Sequence, residues 1–221
     1  FRLPKFSLSF FRTQIAEGSM LPSGKMPYEV FIPAYRDEIL SDTVMVYGNV
    51  DEVELVLNGK TIRRQTADKG PDSDYIPVPN GGNGKNLHFP PFTFYGVSKE
   101  RGVLKAVGYH QGKKVAEYTV KTPGVPERLD ITYFESGKPA TKNDLLIVYV
   151  RMLDKQGVLC PVNGIPVELS VQGGEIVGPT SYPLEAGVAS FLVRTGEISK
   201  ININATGKGF STRKSLKVGK E

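Results

Sequence analysis

The sequence predicts an all-β protein: two tandem antiparallel immunoglobulin-like β-sandwiches with a short N-terminal helix. Three observations support this fold. Glycine and proline are dense, at 24 and 16 of 221 residues, which leaves little room for long helices. From Tyr28 onward the apolar residues alternate with a period of two, in short runs between turn signals. A hydrophobic fraction of 39% supports packed cores, and the length suggests two modest domains.

Residues 1–27 are predicted to hold a helix and a linker. The apolar residues of the helix recur at three- and four-residue steps: Leu3, Phe6, Phe10 and Phe11. Pro4 stands near its start and Gly18 follows its end. Its apolar face must dock on a following sandwich or on a domain outside this sequence. Residues 19–27 have the composition of a linker. Because the sequence opens at Phe1 rather than at Met, we expect a fragment or a processed product.

Residues 28–124 are predicted to form the first sandwich. Asn58-Gly59 supplies the two positive-φ positions of a type I′ hairpin turn, and Gln111-Gly112 is a similar but less decisive signal. Between these hairpins, the glycine- and proline-rich stretch 67–86 indicates a long exposed loop.

Residues 125–221 are predicted to form the second sandwich, because two prolines and a glycine interrupt the strand pattern at 121–127. Short strands then follow at intervals of about 8–12 residues, which is typical of immunoglobulin-like folds. The chain has no Trp and one Cys, so the Cys-Trp-Cys core of antibody domains is absent and the likeness is architectural.

Charge and composition exclude several kinds of partner. The formal net charge is +5, but basic and acidic residues are interleaved along the strands, so we expect no nucleic-acid partner. No apolar run approaches the ~20 residues of a membrane span, so we expect no membrane partner. The single Cys160 excludes an internal disulfide and a multi-thiolate metal site. We expect no cofactor and no metal.

Two acidic groups are candidates for chemistry. The first could supply paired carboxylates for glycoside hydrolysis: Asp51, Glu52 and Glu54. On a strand, however, Glu52 and Glu54 share the face opposite Val53 and Leu55, so the solvated side of a half-buried strand is the favoured interpretation. The second could offer oxygens to Ca²⁺: Asp68, Asp72 and Asp74. It lacks the EF-hand pattern, so an ordinary polar loop is favoured.

Most histidine, cysteine and aromatic residues are expected to be structural, and three remain as candidate contacts. No nucleophile motif accompanies His88 or His110, so surface or structural histidines are expected. Cys160 is expected to be a small semi-buried side chain. Phe92 and Phe94 share one strand face and are expected to fill the core. Three residues remain as candidate carbohydrate contacts: Tyr75, His88 and Tyr95.

Several strings resemble the C-terminal region of glycoside hydrolase family 2, the β-galactosidase-like group. They are TVMVYGNVDEVELVLNGKTI, PPFTF with GVLKAVGYHQGKKVAEYTVKTPGVPERLDI, and NDLLIVYVRMLDKQGVLCP. In that family a strand like the first of these strings begins an accessory sandwich after the catalytic barrel. A segment like the last string opens a further immunoglobulin-like module. FRLPKFSLSFFRTQ resembles the final helix of the barrel. The match covers nearly the whole chain.

The resemblance implies a parent enzyme that cleaves β-glycosides, β-galactosides foremost, by the retaining two-carboxylate route. The family's catalytic glutamates lie in the barrel, so no catalytic residue transfers to this chain. The implied role is a scaffold for the barrel of the same polypeptide, with a contribution of residues 66–90 to substrate access. Further implications are a homo-oligomer formed through the parent enzyme and a periplasmic or secreted location. The alternatives are a carbohydrate-binding module and a cell-surface adhesion module.

Overall fold

The computed structural model describes residues 5–34, 42–68, 87–134 and 139–219 of the chain. The chain divides into two compact units with the boundary between Thr122 and Pro123. The described residues form one short helix and seventeen strands, and the strand pairs are antiparallel, which confirms the all-β sandwich prediction. The domain limits given above stay predictions.

The N-terminal segment, residues 5–34, belongs to the first unit. Helix α1 spans Phe6–Arg12 and is shorter than the pattern predicted. At its end lies the buried Thr13, whose hydroxyl donates to the carbonyl of Phe10 at 2.7 Å. Within residues 19–27, where composition predicted a linker, β1 (Met20–Leu21) pairs with β2 (Gly24–Lys25). The turn is possible because Gly24 adopts a φ of 115°.

The first sandwich packs a three-stranded sheet on a four-stranded one. The strands are β3 (Val30–Phe31), β4 (Val44–Gly48), β5 (Glu52–Leu57), β6 (Lys60–Thr66), β7 (Phe92–Phe94), β8 (Val103–His110) and β9 (Lys113–Lys121). Their order is β3-β4-β7 in one sheet and β6-β5-β8-β9 in the other.

Both predicted hairpins of this sandwich form. Asn58 and Gly59 have φ of 50° and 81° and close the turn between β5 and β6. Gln111 and Gly112 have φ of 49° and 75° and close the turn between β8 and β9. Two consecutive positive φ values are the requirement of the type I′ turn, so both sequence signals are confirmed.

The core of the first sandwich comes from alternating residues of the two sheets. Strand β5 shows the alternation clearly: Val53, Leu55 and Leu57 are buried, while Glu52 and Glu54 lie on the other face. The predicted core role of the aromatic strand is confirmed, because Phe92 and Phe94 in β7 are fully buried.

The second sandwich packs two four-stranded sheets. Its strands are β10 (Arg128–Tyr133), β11 (Leu145–Leu153), β12 (Pro166–Gln172), β13 (Gly174–Ile176), β14 (Ser181–Pro183), β15 (Val188–Thr195), β16 (Lys200–Gly207) and β17 (Phe210–Lys217). The sheet orders are β10-β11-β15-β13 and β14-β12-β16-β17. The chain stays in one sheet from β10 to β11 and in the other from β16 to β17, and it changes sheet at every connection from β11 to β16.

A buried carboxylate fixes the first turn of the second sandwich. Asp154 follows β11 and is 1% exposed. Its oxygens accept backbone N–H groups of Gly124 at 2.7 Å, Gln156 at 2.9 Å and Val158 at 2.8 Å. The Gly124 bond first, and then those from the turn, lower the pKa of Asp154. Cys160 lies buried in the same region and packs in the core, which confirms its structural interpretation.

Candidate functional site

The acidic group on β5 is engaged in structural bonds. Arg64 donates to Glu52 at 2.6 Å, and Glu54 accepts the hydroxyls of Thr61 at 2.6 Å and Tyr109 at 2.7 Å. The hydrogen bond from Thr61, followed by that from Tyr109, lowers the pKa of Glu54. Both glutamates lie partly exposed on the face of β5 opposite the buried Val53 and Leu55, which confirms the solvated-face interpretation.

The remaining acid of that group, Asp51, holds a histidine. Asp51 Oδ1 lies 3.1 Å from Nδ1 of His110, and Asp51 Oδ2 accepts the backbone N–H of Gln111 at 2.8 Å. The bond from Gln111 is the main reason that the pKa of Asp51 is lowered. The His110 ring also stacks on Tyr28 at 4.9 Å between centroids. His110 thus connects the β8–β9 hairpin to the N-terminal segment, as a structural histidine.

Aromatic and charged contacts attach helix α1 to the first sandwich. Phe6 packs edge-on against Phe31 at 5.6 Å, and Phe10 against Tyr47 at 5.0 Å. Arg12 at the end of the helix pairs with both carboxylate oxygens of Glu29. The hydrogen bond to Glu29 raises the pKa of Arg12. One side of the helix therefore docks on the following sandwich, the first of the two expected options.

Asn49 joins the N-terminal segment to the strand layer. Its side chain is buried, at 3% exposed. Oδ1 accepts the backbone N–H of Glu29 at 2.6 Å, and Nδ2 donates to the carbonyls of Ile15 at 2.9 Å and Pro27 at 3.0 Å. A single amide thus holds two separate stretches of the segment. Sequence reasoning missed this role, although Asn49 lies within the first of the strings that carried the family resemblance.

The other side of helix α1 leaves apolar side chains in solvent. Leu8 is 51% exposed, Phe11 64% and Met20, in the hairpin that follows, 73%. Leu8 and Phe11 are three residues apart and share a helix face. We call Leu8 and Phe11, together with Met20 of the following hairpin, the apolar face of the N-terminal segment. Because Leu8 and Phe11 lie together on one helix face, they are a candidate interaction surface.

Hydrogen bonds fix the residues on either side of the stretch 69–86. Asp68 accepts the Thr93 hydroxyl at 2.6 Å, and its own N–H donates to the carbonyl of Pro91 at 2.8 Å. Gln14 pairs with the backbone of Phe89 through Nε2 to O at 3.0 Å and N to Oε1 at 3.1 Å. Burial, only partly offset by the Thr93 bonds, raises the pKa of Asp68. The described residues that flank the stretch 69–86 are thus fixed by hydrogen bonds on both sides.

Of the three candidate carbohydrate contacts, the structure describes two, and it places them at opposite ends of β7. Tyr75 lies outside the described residues, as do Asp72 and Asp74. His88 is exposed and packs edge-on against Phe89. Tyr95 is 43% exposed and lies at the opposite end of β7 from His88. Their role in sugar binding stays a prediction.

The described residues hold neither a grouped metal site nor a membrane-spanning helix. In ranges 5–34, 42–68, 87–134 and 139–219, no three His, Cys, Asp or Glu side chains are grouped as a metal site requires. Within the same ranges, no helix has the length and apolar character to cross a membrane.

Comparison with known proteins gives one family match and several similar sequences for this chain. Residues 41–116 match a family described as a domain of unknown function, DUF4982. A beta-galactosidase of Thermoanaerobacter pseudethanolicus is 30% identical over 207 residues, 88% of this chain and 26% of the relative. A beta-galactosidase of Rhizobium radiobacter is 30% identical over 129 residues, 58% of this chain and 92% of the relative.

A solved structure supports the same placement of the fold. A beta-glucuronidase from glycoside hydrolase family 2 superposes with a TM-score of 0.75 at 21% identity, over 99% of this chain and 22% of that one. This likeness shows that the two sandwiches and the N-terminal segment share the fold of part of that longer chain. The chain belongs to glycoside hydrolase family 2, the β-galactosidase-like group, as a C-terminal accessory region. It spans about a quarter of the Thermoanaerobacter relative, 26%.

Proposed function

We propose that this chain is the non-catalytic C-terminal region of a β-glycoside hydrolase, foremost a β-galactosidase. In this role the two sandwiches support the catalytic barrel of the same polypeptide, here called the parent polypeptide. The relatives named beta-galactosidase support the substrate class. The chain's own carboxylates support the non-catalytic part, because Glu52 and Glu54 are bonded on a sheet surface with the Glu54 pKa lowered.

The observation that carries the proposal is the apolar face of the N-terminal segment. Leu8 and Phe11 are 51% and 64% exposed, yet the helix that bears them is fixed on the sandwich by Phe10, Arg12 and the Asn49 amide. A rigid helix that presents apolar side chains is pre-organised for docking, because little conformational entropy is lost on contact. The catalytic barrel is the proposed occupant of this surface.

A second part of the proposal concerns substrate access. Residues 69–86 connect Asp68 to the segment that Gln14 clamps at Phe89. Gln14 follows helix α1, so the same N-terminal segment that docks on the barrel also positions one end of the loop. The loop would then contribute to the approach to the active site.

Two substitutions on the apolar face test the scaffold role. In the parent polypeptide, Leu8→Asp with Phe11→Asp should lower the melting temperature and the β-galactosidase activity. Full burial of one such side chain is worth about 1.5–3 kcal/mol, and docking can bury only the exposed 51% of Leu8 and 64% of Phe11, so the pair should weaken docking by about 2–4 kcal/mol. Ile198→Asp is the matched control, since Ile198 is 52% exposed in the second sandwich. Equal effects of the control and the pair would contradict the proposal.

The non-catalytic claim has its own assay. The chain as given, incubated with a chromogenic β-galactoside, should give turnover no higher than buffer. Turnover well above background would contradict the non-catalytic claim. It would not affect the measurement of docking. The two experiments therefore separate the two parts of the proposed function.

A further inference from the structure

The hairpin formed by β16 and β17 holds the excess positive charge of the chain. Between positions 200 and 217 it carries no acidic residue and five basic ones: Lys200, Lys208, Arg213, Lys214 and Lys217. The whole chain has 28 basic and 23 acidic residues, so the formal charge of +5 equals the charge of this hairpin and the rest of the chain is balanced. The interleaving of basic and acidic residues therefore does not extend to this hairpin.

Three of these cations project from the outer face of one sheet. The cross-strand partners Ile201 and Leu216 are buried in the core, so the residues that alternate with them face outward. Three exposed cations share this outward side, here called the basic face: Lys200, Arg213 and Lys217. Lys214 lies on the other side, with its Nζ 5.6 Å from the centre of the Tyr133 ring.

The positive charge of the basic face is unmatched. In the described part of the chain, no carboxylate lies within ion-pair distance of its three cations. Glu197, three residues before Lys200, is paired with Lys142 at 3.3 Å. Glu168 lies at the other end of the face, opposite Thr206 in the register of β12 and β16.

The strand register also sets two of the cations against each other. Lys200 and Lys217 are direct cross-strand partners, so their Cβ atoms lie about 5 Å apart. Like charges directly opposite each other destabilise a strand pair. An anionic group bound between the two ammonium groups removes this repulsion, so a partner that brings a carboxylate here gains affinity.

The other outward side chains of β12, β16 and β17 indicate the kind of anion. Apart from Glu168 they are amides and hydroxyls: Ser170, Gln172, Asn202, Asn204, Thr206, Ser211 and Ser215. Nucleic acids are held by stacking on aromatic rings or by about 6–10 phosphate contacts, and bilayers by apolar side chains that insert. The basic face has three cations, and these residues include no aromatic or apolar side chain. Amides donate and accept hydrogen bonds, as the peptide groups of a polypeptide do.

We propose that the basic face binds an extended acidic segment of another polypeptide. Arg213 and Lys217 are four residues apart on β17, about 13 Å along the strand. An extended segment has the same repeat, so carboxylates four residues apart on it reach Arg213 at one end and the Lys200–Lys217 pair at the other. This role goes beyond the scaffold function, because the apolar face belongs to the first unit and the basic face to the second.

The test is a titration of the full chain with a deca-glutamate peptide, followed by backbone amide chemical shifts. We expect saturable shifts at residues 200–206 and 211–217, with a dissociation constant of about 0.1–1 mM at about 20 mM salt. At about 150 mM salt the binding should be at least about tenfold weaker, because exposed charges are screened.

Charge reversal locates the binding. Arg213→Glu with Lys217→Glu should weaken binding at least about tenfold, since attraction becomes repulsion. Lys113→Glu with Lys121→Glu is the matched control, because both are exposed cations of β9 and the change in net charge is the same. The control should leave the dissociation constant within about twofold. If the first variant fails to fold, Arg213→Gln with Lys217→Gln should weaken binding about fivefold.

Three results would overturn the inference. The first is an absence of shifts on the basic face with the peptide at about 5 mM, well above the expected dissociation constant. The second is an equal loss of binding in the face variant and the control variant, which would leave only an effect of net charge. The third is tighter binding, at the same residues, of a thymidine decanucleotide or of phosphatidylglycerol vesicles. None of these results bears on the docking of the apolar face, which Leu8 and Phe11 carry.

Discussion

Asn49 is the residue whose replacement tests the attachment of the N-terminal segment most stringently. Asn49→Ala removes three hydrogen bonds, of 2.6, 2.9 and 3.0 Å, from a side chain that is 3% exposed. At about 1 kcal/mol for each bond, the free energy of unfolding should fall by about 3 kcal/mol. For the first unit this corresponds to a melting temperature lower by about 10 °C.

Asn49→Asp separates the roles of the two ends of the amide. The carboxylate still accepts from the N–H of Glu29 but faces the carbonyl oxygens of Ile15 and Pro27. Burial beside these oxygens raises the folded-state pKa of the new acid. Its penalty should be absent below the unfolded-state pKa, grow as pH rises, and be complete above the folded-state pKa. The variant should therefore recover stability in acid.

The assay is thermal unfolding by circular dichroism, combined with amide hydrogen exchange at Glu29. Asn204→Ala is the control, because its side chain makes one exposed 3.5 Å bond to Ser170, and it should cost less than about 0.5 kcal/mol. The reasoning is refuted by a loss below about 1 kcal/mol for Asn49→Ala. It is also refuted by an Asn49→Asp variant whose stability relative to the unsubstituted chain does not change with pH.

Three further substitutions follow from the same structure. Asp68→Asn should remove a pH dependence of the free energy of unfolding. Burial raises the Asp68 pKa, so the stability of the unsubstituted chain falls as pH rises from the ordinary pKa of 3.8 through the folded-state pKa. Denaturant titrations at several pH values would show this fall and its loss in the variant. Gly108→Ala should cost about 1–3 kcal/mol in thermal unfolding, because a Cβ there would lie 2.7 Å from Val30 Cγ1. Asp154→Asn should destabilise the second unit at pH 7, and the difference should shrink as pH falls, because the Asp154 pKa is lowered and its stabilising charge is lost in acid; no change at pH 7 would contradict this.

The fold was predictable because local signals in the sequence agreed with one another. Asn58-Gly59 allows few turns other than a tight hairpin, and the structure confirms the φ values it requires. The burial of Phe92 and Phe94 also followed from the period of two along a strand. Hairpin turns and strand alternation depend on residues that are neighbours in sequence, so they can be predicted from the sequence.

The candidate sites were less predictable because they depend on contacts between distant residues. Gln14 pairs with Phe89 across 75 positions, and Asn49 bonds to Ile15 across 34. Neither residue stands in a pattern that marks it as buried or bonded. Helix α1 was identified from its pattern, but its end at Arg12 was not, since the pattern predicted a longer helix.

The central claim is that the apolar face docks on the rest of a parent polypeptide. Amide hydrogen exchange at residues 8–20, compared between this chain alone and the parent polypeptide, tests it directly. Docking of Leu8, Phe11 and Met20 should slow exchange there at least about tenfold, the change that corresponds to 1.4 kcal/mol. Equal exchange in the two proteins would contradict the account.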